Sequence, residues 1–134
     1  MYADSSALVK LIIVEAESAA LEAYVARDPV LATSWVATVE VSRATTLSNP
    51  APEVRAEVDR LLSSCALVAV TAQLLRSARR LASASVRTLD AIHLASALHI
   101  DAHELLAYDA RLITAAAEHG MSVASPGTRA LPAL

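Results

Sequence analysis

Along the chain, short apolar runs alternate with longer stretches in which apolar residues return every three or four positions, the spacings of strands and helices in turn. Met1-Tyr2-Ala3 leads into Asp4 and then Ser5-Ser6-Ala7-Leu8-Val9-Lys10-Leu11-Ile12-Ile13, which reads as strand, turn and helix with Ser5 as N-cap. Glu15 to Arg27 repeats Ala, Leu, Tyr and Val at helical spacing and stops before Asp28-Pro29. Val30-Leu31-Ala32-Thr33 reads as a second strand, and Ser34 caps a third helix from about Trp35 to Leu47. Asn49-Pro50-Ala51-Pro52 breaks the pattern before an amphipathic helix from Glu53 to Ser64, with Val54, Val58, Leu61 and Leu62 inward. Ala66-Leu67-Val68-Ala69-Val70 is continuously apolar, as suits a strand buried on both faces, and Thr71 caps a helix to about Ala84.

The stretch from Arg87 to Ala97 is the next helix, and Thr88 and Asp90 are both placed to cap it. After a loop at Asp101-Ala102-His103, Glu104 to Tyr108 reads as a buried strand that delivers Asp109 at its end. Ala110 to His119 is a helix stopped by Gly120, Met121 to Ala124 is a last edge strand, and Pro126-Gly127 opens a tail. This alternation predicts an α/β fold: one domain over 1–134, core about 1–125 and tail 126–134, with a parallel twisted sheet of about four to five short strands flanked by helices on both faces.

Composition narrows the function. The 134 residues are 55% hydrophobic with no Phe and two Gly, at a mean hydropathy of +0.46, which favours close-packed helices. No uncharged stretch reaches the ~18 residues of a membrane span. Asp4 and Lys10 interrupt the start where a signal peptide would be apolar, so a cytoplasmic protein is expected. A single cysteine, Cys65, excludes an internal disulfide or a thiolate zinc site and reads as a small core residue. A net charge of −3 argues against gripping nucleic acid by bulk positive potential, so phosphate contacts would be local.

Four acids then call for an explanation. Asp4 and Asp109 close two predicted strands, where open α/β sheets bind their ligands, and Glu40 and Asp90 border apolar stripes of helices that flank that edge. Singly, each is an ordinary turn, cap or solvated acid. Converging, four carboxylates repel too strongly to stay together at neutral pH without cations. An all-oxygen set with no thiolate and no His pair selects Mg²⁺ or Mn²⁺, which fits phosphodiester chemistry.

Asp4-Ser5-Ser6-Ala7-Leu8-Val9-Lys10-Leu11, Val39-Glu40-Val41-Ser42-Arg43-Ala44, Leu89-Asp90-Ala91-Ile92-His93-Leu94-Ala95 and Tyr108-Asp109-Ala110-Arg111-Leu112 resemble the four motifs of the PIN domain in its VapC toxin branch, in order and over nearly the whole chain. The resemblance implies a Mg²⁺- or Mn²⁺-dependent endoribonuclease of a type II toxin–antitoxin pair. Its implied RNA substrate is tRNA or rRNA, its partner a VapB-type antitoxin, and its assembly a homodimer. Carried over, Asp4 and Asp109 are the central metal ligands, Asp90 binds metal directly or through water, and Glu40 orients or deprotonates the attacking water. Ala107 stands where the family often has a hydroxyl residue.

Ser6, Arg43, Arg87 and Arg111 lie beside the acids as substrate contacts, although capping and charge compensation account for them as well. His93, one turn from Asp90, reads as a packed histidine and stays outside the catalytic set. Phosphatases and receivers that form an aspartyl phosphate are disfavoured, since Ser6 stands where the former need a second Asp and the latter's adjacent acids are absent. The alternative from another class is a catalytically weak PIN-fold binding module, which the apolar helices Leu8–Val14 and Val36–Leu47 would suit. The same helices form the expected antitoxin groove, with Leu11→Glu as its probe.

Overall fold

Tyr2 and Ala3, neighbours on the central strand, serve different hydrophobic cores, because successive side chains of a strand point to opposite faces. A computed structural model describes residues 1–28 and 30–128. The chain runs β1 (Tyr2–Ala3), α1 (Ser5–Lys10), α2 (Ser18–Val25), β2 (Ala32–Ser34), α3 (Trp35–Ser48), α4 (Pro52–Ser64), β3 (Ala66–Val68), α5 (Ala72–Leu81), α6 (Thr88–His99), β4 (Leu105–Leu106), α7 (Ala110–Glu118) and β5 (Val123–Ala124). All pairings among the five strands are parallel, in the order β3-β2-β1-β4-β5.

Tyr2, Leu105 and Ala107 join residues of α5, α6 and α7 in one core, whereas Ala3 and Leu106 join α1, α2, α3 and α4 in the other. The sheet is therefore covered on both faces, as expected. Among the described residues, no helix is long and apolar enough to cross a membrane. Every residue of α6 from Ala91 to Ala97 is buried, which explains why its apolar pattern runs all round: α5, α7 and the sheet enclose it. Leu94 lies at its centre with no exposed surface. Leu94→Ala is expected to cost about 3 kcal/mol through the cavity it leaves, read as a lower urea midpoint with an unchanged slope.

Several boundaries differ from the reading of the sequence. Asp4, not Ser5, caps α1: its extended backbone (φ −78°, ψ 177°) continues β1, and its Oδ1 accepts the Ala7 amide at 3.0 Å. The helix is also shorter, since the Leu11 and Ile12 amides turn back in 3₁₀ fashion onto Leu8 and Val9. β3 is an edge strand with Ala66 exposed, not a strand buried on both faces, because it lies at one end of the sheet. Neither Thr88 nor Asp90 occupies the cap of α6; Arg87 does, without a side-chain bond. Cys65 is half-buried, its Sγ bonded to the Leu61 carbonyl at 3.3 Å. Ser34 and Thr71 cap α3 and α5 as expected. Of the tail 126–134, residues 129–134 lie outside the described residues.

Candidate active site

The chain steps outward from β1 to β2 and β3, then returns to the other side of β1 for β4 and β5. The direction of winding thus reverses between β1 and β4, and open parallel sheets leave a crevice at the carboxyl ends of such strands. Asp4 follows β1 and Asp109 follows β4 after Ala107 and Tyr108, so both reach that crevice. The two strand ends are fastened together. The Asp4 amide donates to the Leu106 carbonyl at 3.0 Å, and Ser6 Oγ accepts the Tyr108 amide at 3.2 Å while donating to Asp4 Oδ1 at 2.7 Å.

Asp4 is 5% exposed and makes no ion pair among the described residues. Burial pushes its carboxyl above the usual range, against the pull of the Ser6 and Ala7 hydrogen bonds. Asp109 is exposed and caps α7, its Oδ1 accepting the amides of Arg111 at 2.9 Å and Leu112 at 3.3 Å. Asp90 lies in the first turn of α6, where partial burial raises its carboxyl and the charge of Asp109 raises it further; the Arg87 main chain and the charges of His93 and Arg87 oppose both.

Glu40 comes from α3. Ser5 Oγ donates to its Oε1 at 2.7 Å, and His93 Nε2 meets the same oxygen at 2.7 Å. Burial works against its ionisation, but the His93 hydrogen bond, the His93 charge and Ser5 together hold the carboxyl below its ordinary value. The histidine is itself buried, and its Nδ1 lies 2.7 Å from the Tyr2 hydroxyl. Nothing in the sequence around His93 sets it apart from a packed histidine. Its partners are 91 and 53 residues away, so no local pattern signals them.

The structure thus brings the acids together in pairs: Asp4 senses the charge of Glu40, and Asp90 that of Asp109. Among the described residues, no group of three or more His, Cys, Asp and Glu side chains is arranged to chelate an ion. The donor chemistry nevertheless fits a hard divalent cation. Hydrogen bonds among the described residues fall on one oxygen of Asp4, Glu40 and Asp109, leaving the other carboxylate oxygen of each without one. Mg²⁺ is commonly held by one or two carboxylates, with water and phosphate completing its shell.

Ser6 is committed to the strand ends by its two bonds, which accounts for it structurally. Arg43, Arg87 and Arg111 are exposed, and among the described residues none pairs with an acid. Charge compensation by direct pairing therefore does not account for them. Beside Glu40 an apolar groove of about 620 Å³ is lined by Val9, Val36, Val39, Ala44 and Leu89, with Ser5, Ser6 and Arg43.

The PIN domain family matches residues 1–118. The chain is 40% identical over 128 residues to Ribonuclease VapC46 of Mycobacterium tuberculosis strain H37Rv, covering 94% of this chain and 97% of that protein. It is 36% identical over 135 residues to Ribonuclease VapC47 of strain CDC 1551, covering 95% and 97%. The crystal structure of M. tuberculosis VapC20, a sarcin-ricin loop cleaving toxin, superposes with a TM-score of 0.71 over 85% of this chain and 93% of that one, at 21% identity, a likeness of fold.

Proposed function

Because the chain belongs to the PIN domain family, in its VapC branch, we propose that it is the toxin of a type II toxin–antitoxin pair, an endoribonuclease acting in the cytoplasm as a homodimer on structured RNA such as tRNA or rRNA. In this reading Asp4, Asp90 and Asp109 hold Mg²⁺ or Mn²⁺, and Glu40 acts on the attacking water. The observation that carries it is the pairing of acids at the β1–β4 crevice, with Asp4 buried there and making no ion pair among the described residues. An unpaired buried carboxylate is costly unless a cation compensates it.

When bound, a divalent ion supplies charge stabilisation for a phosphodiester and acidifies a coordinated water. The residues of the chain do the rest. Asp4 and Asp109, each anchored through one oxygen, hold their free oxygens at the crevice, while Asp90 adds charge from α6. Glu40 stays ionised and so is able to accept a proton at Oε2. Arg43, Arg87 and Arg111 are free to contact RNA phosphates locally, as a chain of net charge −3 requires.

The test is incubation of total RNA with purified protein in Mg²⁺, Mn²⁺ or EDTA. Discrete fragments that need the metal support the reading. A folded, metal-binding protein, freed of any copurified partner, that cuts nothing favours the binding module instead.

A VapB-type antitoxin would hold the toxin inactive by seating an apolar segment in the groove beside Glu40. Leu11 is half-buried at the C-cap of α1 and packs against the core, so a charge there would disturb folding as well as docking. Val39 is the cleaner probe, being 70% exposed on the groove wall. Val39→Glu is expected to weaken antitoxin binding about tenfold or more with an unchanged melting temperature, as titration calorimetry and thermal unfolding would show.

A further inference from the structure

A histidine on a helix has an inexpensive way to satisfy a ring nitrogen: a carbonyl one turn back. The exposed His119, at the C-cap of α7, does this, with Nδ1 2.8 Å from the Ala115 carbonyl, and Ser96, on the same helix as His93, donates to the Ile92 carbonyl at 2.7 Å. His93 does neither. Both its nitrogens are spent on side chains from other elements, Nδ1 on Tyr2 of β1 and Nε2 on Glu40 of α3. The ring thus spans the sheet and the opposite helical layer at one point, with Tyr2 packed edge-on against it at a centroid separation of 5.8 Å.

Donor and acceptor roles follow from the chemistry. An ionised carboxylate only accepts, so Nε2 must carry a proton. If the ring is neutral, Nδ1 is then the acceptor and the Tyr2 hydroxyl donates to it. A phenol is protonated at neutral pH, so the donor persists. Ser5 Oγ, 3.3 Å from Nε2, gives its own proton to Glu40 Oε1. Two donors therefore converge on Oε1, whereas Oε2 takes no hydrogen bond among the described residues. Carboxylates whose orientation matters are commonly fixed through one oxygen by a second layer of residues, leaving the other for chemistry.

We infer that His93 is a positioning residue: braced by Tyr2, it ties down Glu40 Oε1 so that Oε2 is the oxygen left for the reaction. The role assigned to Oε2 rests on the ribonuclease reading above; the hydrogen-bond relay itself does not.

The experiment compares wild type with His93→Leu, His93→Gln and Tyr2→Phe as full-length proteins on total RNA with Mg²⁺, taking initial rates across RNA concentration, with a thermal melt of each. His93→Leu is expected to lower kcat about 10- to 100-fold with KM unchanged. Gln offers an N–H to Oε1 and an acceptor to Tyr2, so His93→Gln recovers most of kcat; Tyr2→Phe gives a smaller loss. A structural role predicts otherwise. If both His93 variants lose activity in step with melting temperature, or KM moves as much as kcat, the inference is overturned. A long-range ¹H–¹⁵N spectrum of the metal-free wild type tests the relay without catalysis: a protonated Nε2 is expected, and a neutral ring protonated at Nδ1 overturns it. A wild type that cuts no RNA removes the ribonuclease reading and the role of Oε2 with it, while the ring spectrum still decides the relay.

Discussion

Asp4→Asn is expected to abolish RNA cleavage, by about 10³-fold or more, while leaving the metal-free protein at least as stable as wild type. Asparagine is as good an N-cap as aspartate, so it can keep the bond from the Ala7 amide that starts α1. It also removes a carboxyl that burial already disfavours in ionised form. The substitution therefore separates folding from chemistry. Mg²⁺ or Mn²⁺ is expected to raise the melting temperature of wild type in a concentration-dependent way and that of Asp4→Asn much less, because a ligand that binds only the folded state stabilises it by mass action. Equal metal-induced shifts in both proteins would remove Asp4 from the ligand set.

The same residue gives a pH signature. Asp4 and Asp90 are both raised above their ordinary value in the folded protein, so their contribution to stability is complete below the unfolded value, near 3.8, and is lost as pH rises through the folded one. Glu40 is lowered and runs the other way: its contribution is present above the unfolded value of 4.5 and is lost as pH falls. In EDTA, the stability of wild type relative to Asp4→Asn is accordingly expected to fall as pH is raised from about 4 toward neutrality, measured by urea unfolding. Excess divalent metal should cancel the fall.

The reach of the sequence follows from the range of the interactions involved. Alternating periodicities carry the α/β class, and a run of apolar residues ending in an acid carries the placement of Asp4 and Asp109 after their strands, because both are local signals. Strand order is not local. Ala66 to Val70 has the composition of an interior strand, yet its place at the sheet edge is set by the return of the chain to β4 across β1. Capping is local but was ambiguous at Asp4-Ser5-Ser6, where three capping residues compete; the extended backbone inherited from β1 decides for Asp4. His93 is the opposite case. An isolated histidine in an Ala-rich helix carries no sign of its partners, and only the packing of α6 under β1 and beside α3 brings Tyr2 and Glu40 to its two nitrogens.

Glu40→Gln is the second substitution expected to cost about 10³-fold, and for a reason distinct from that of Asp4. Glutamine offers an amide oxygen where Oε1 now accepts from Ser5 and His93, so both bonds can persist and α3 stays in register with α1 and α6. The atom that replaces Oε2 is an amide nitrogen, which neither accepts a proton nor binds a cation. Melting temperature should change little, because the bonds that fix the side chain are retained. Glu40→Leu, by contrast, takes the acceptor from both the Ser5 hydroxyl and the buried His93 Nε2–H, leaving the ring only Ser5 Oγ at 3.3 Å, and is expected to be both inactive and less stable, by no more than about 1–3 kcal/mol, the cost of an unsatisfied buried donor. Rates and melts of the two variants side by side thus distinguish the oxygen that holds Glu40 in place from the oxygen that works. Should Glu40→Gln cut RNA at the wild-type rate, the base is another group and Glu40 serves only to anchor α3 to His93.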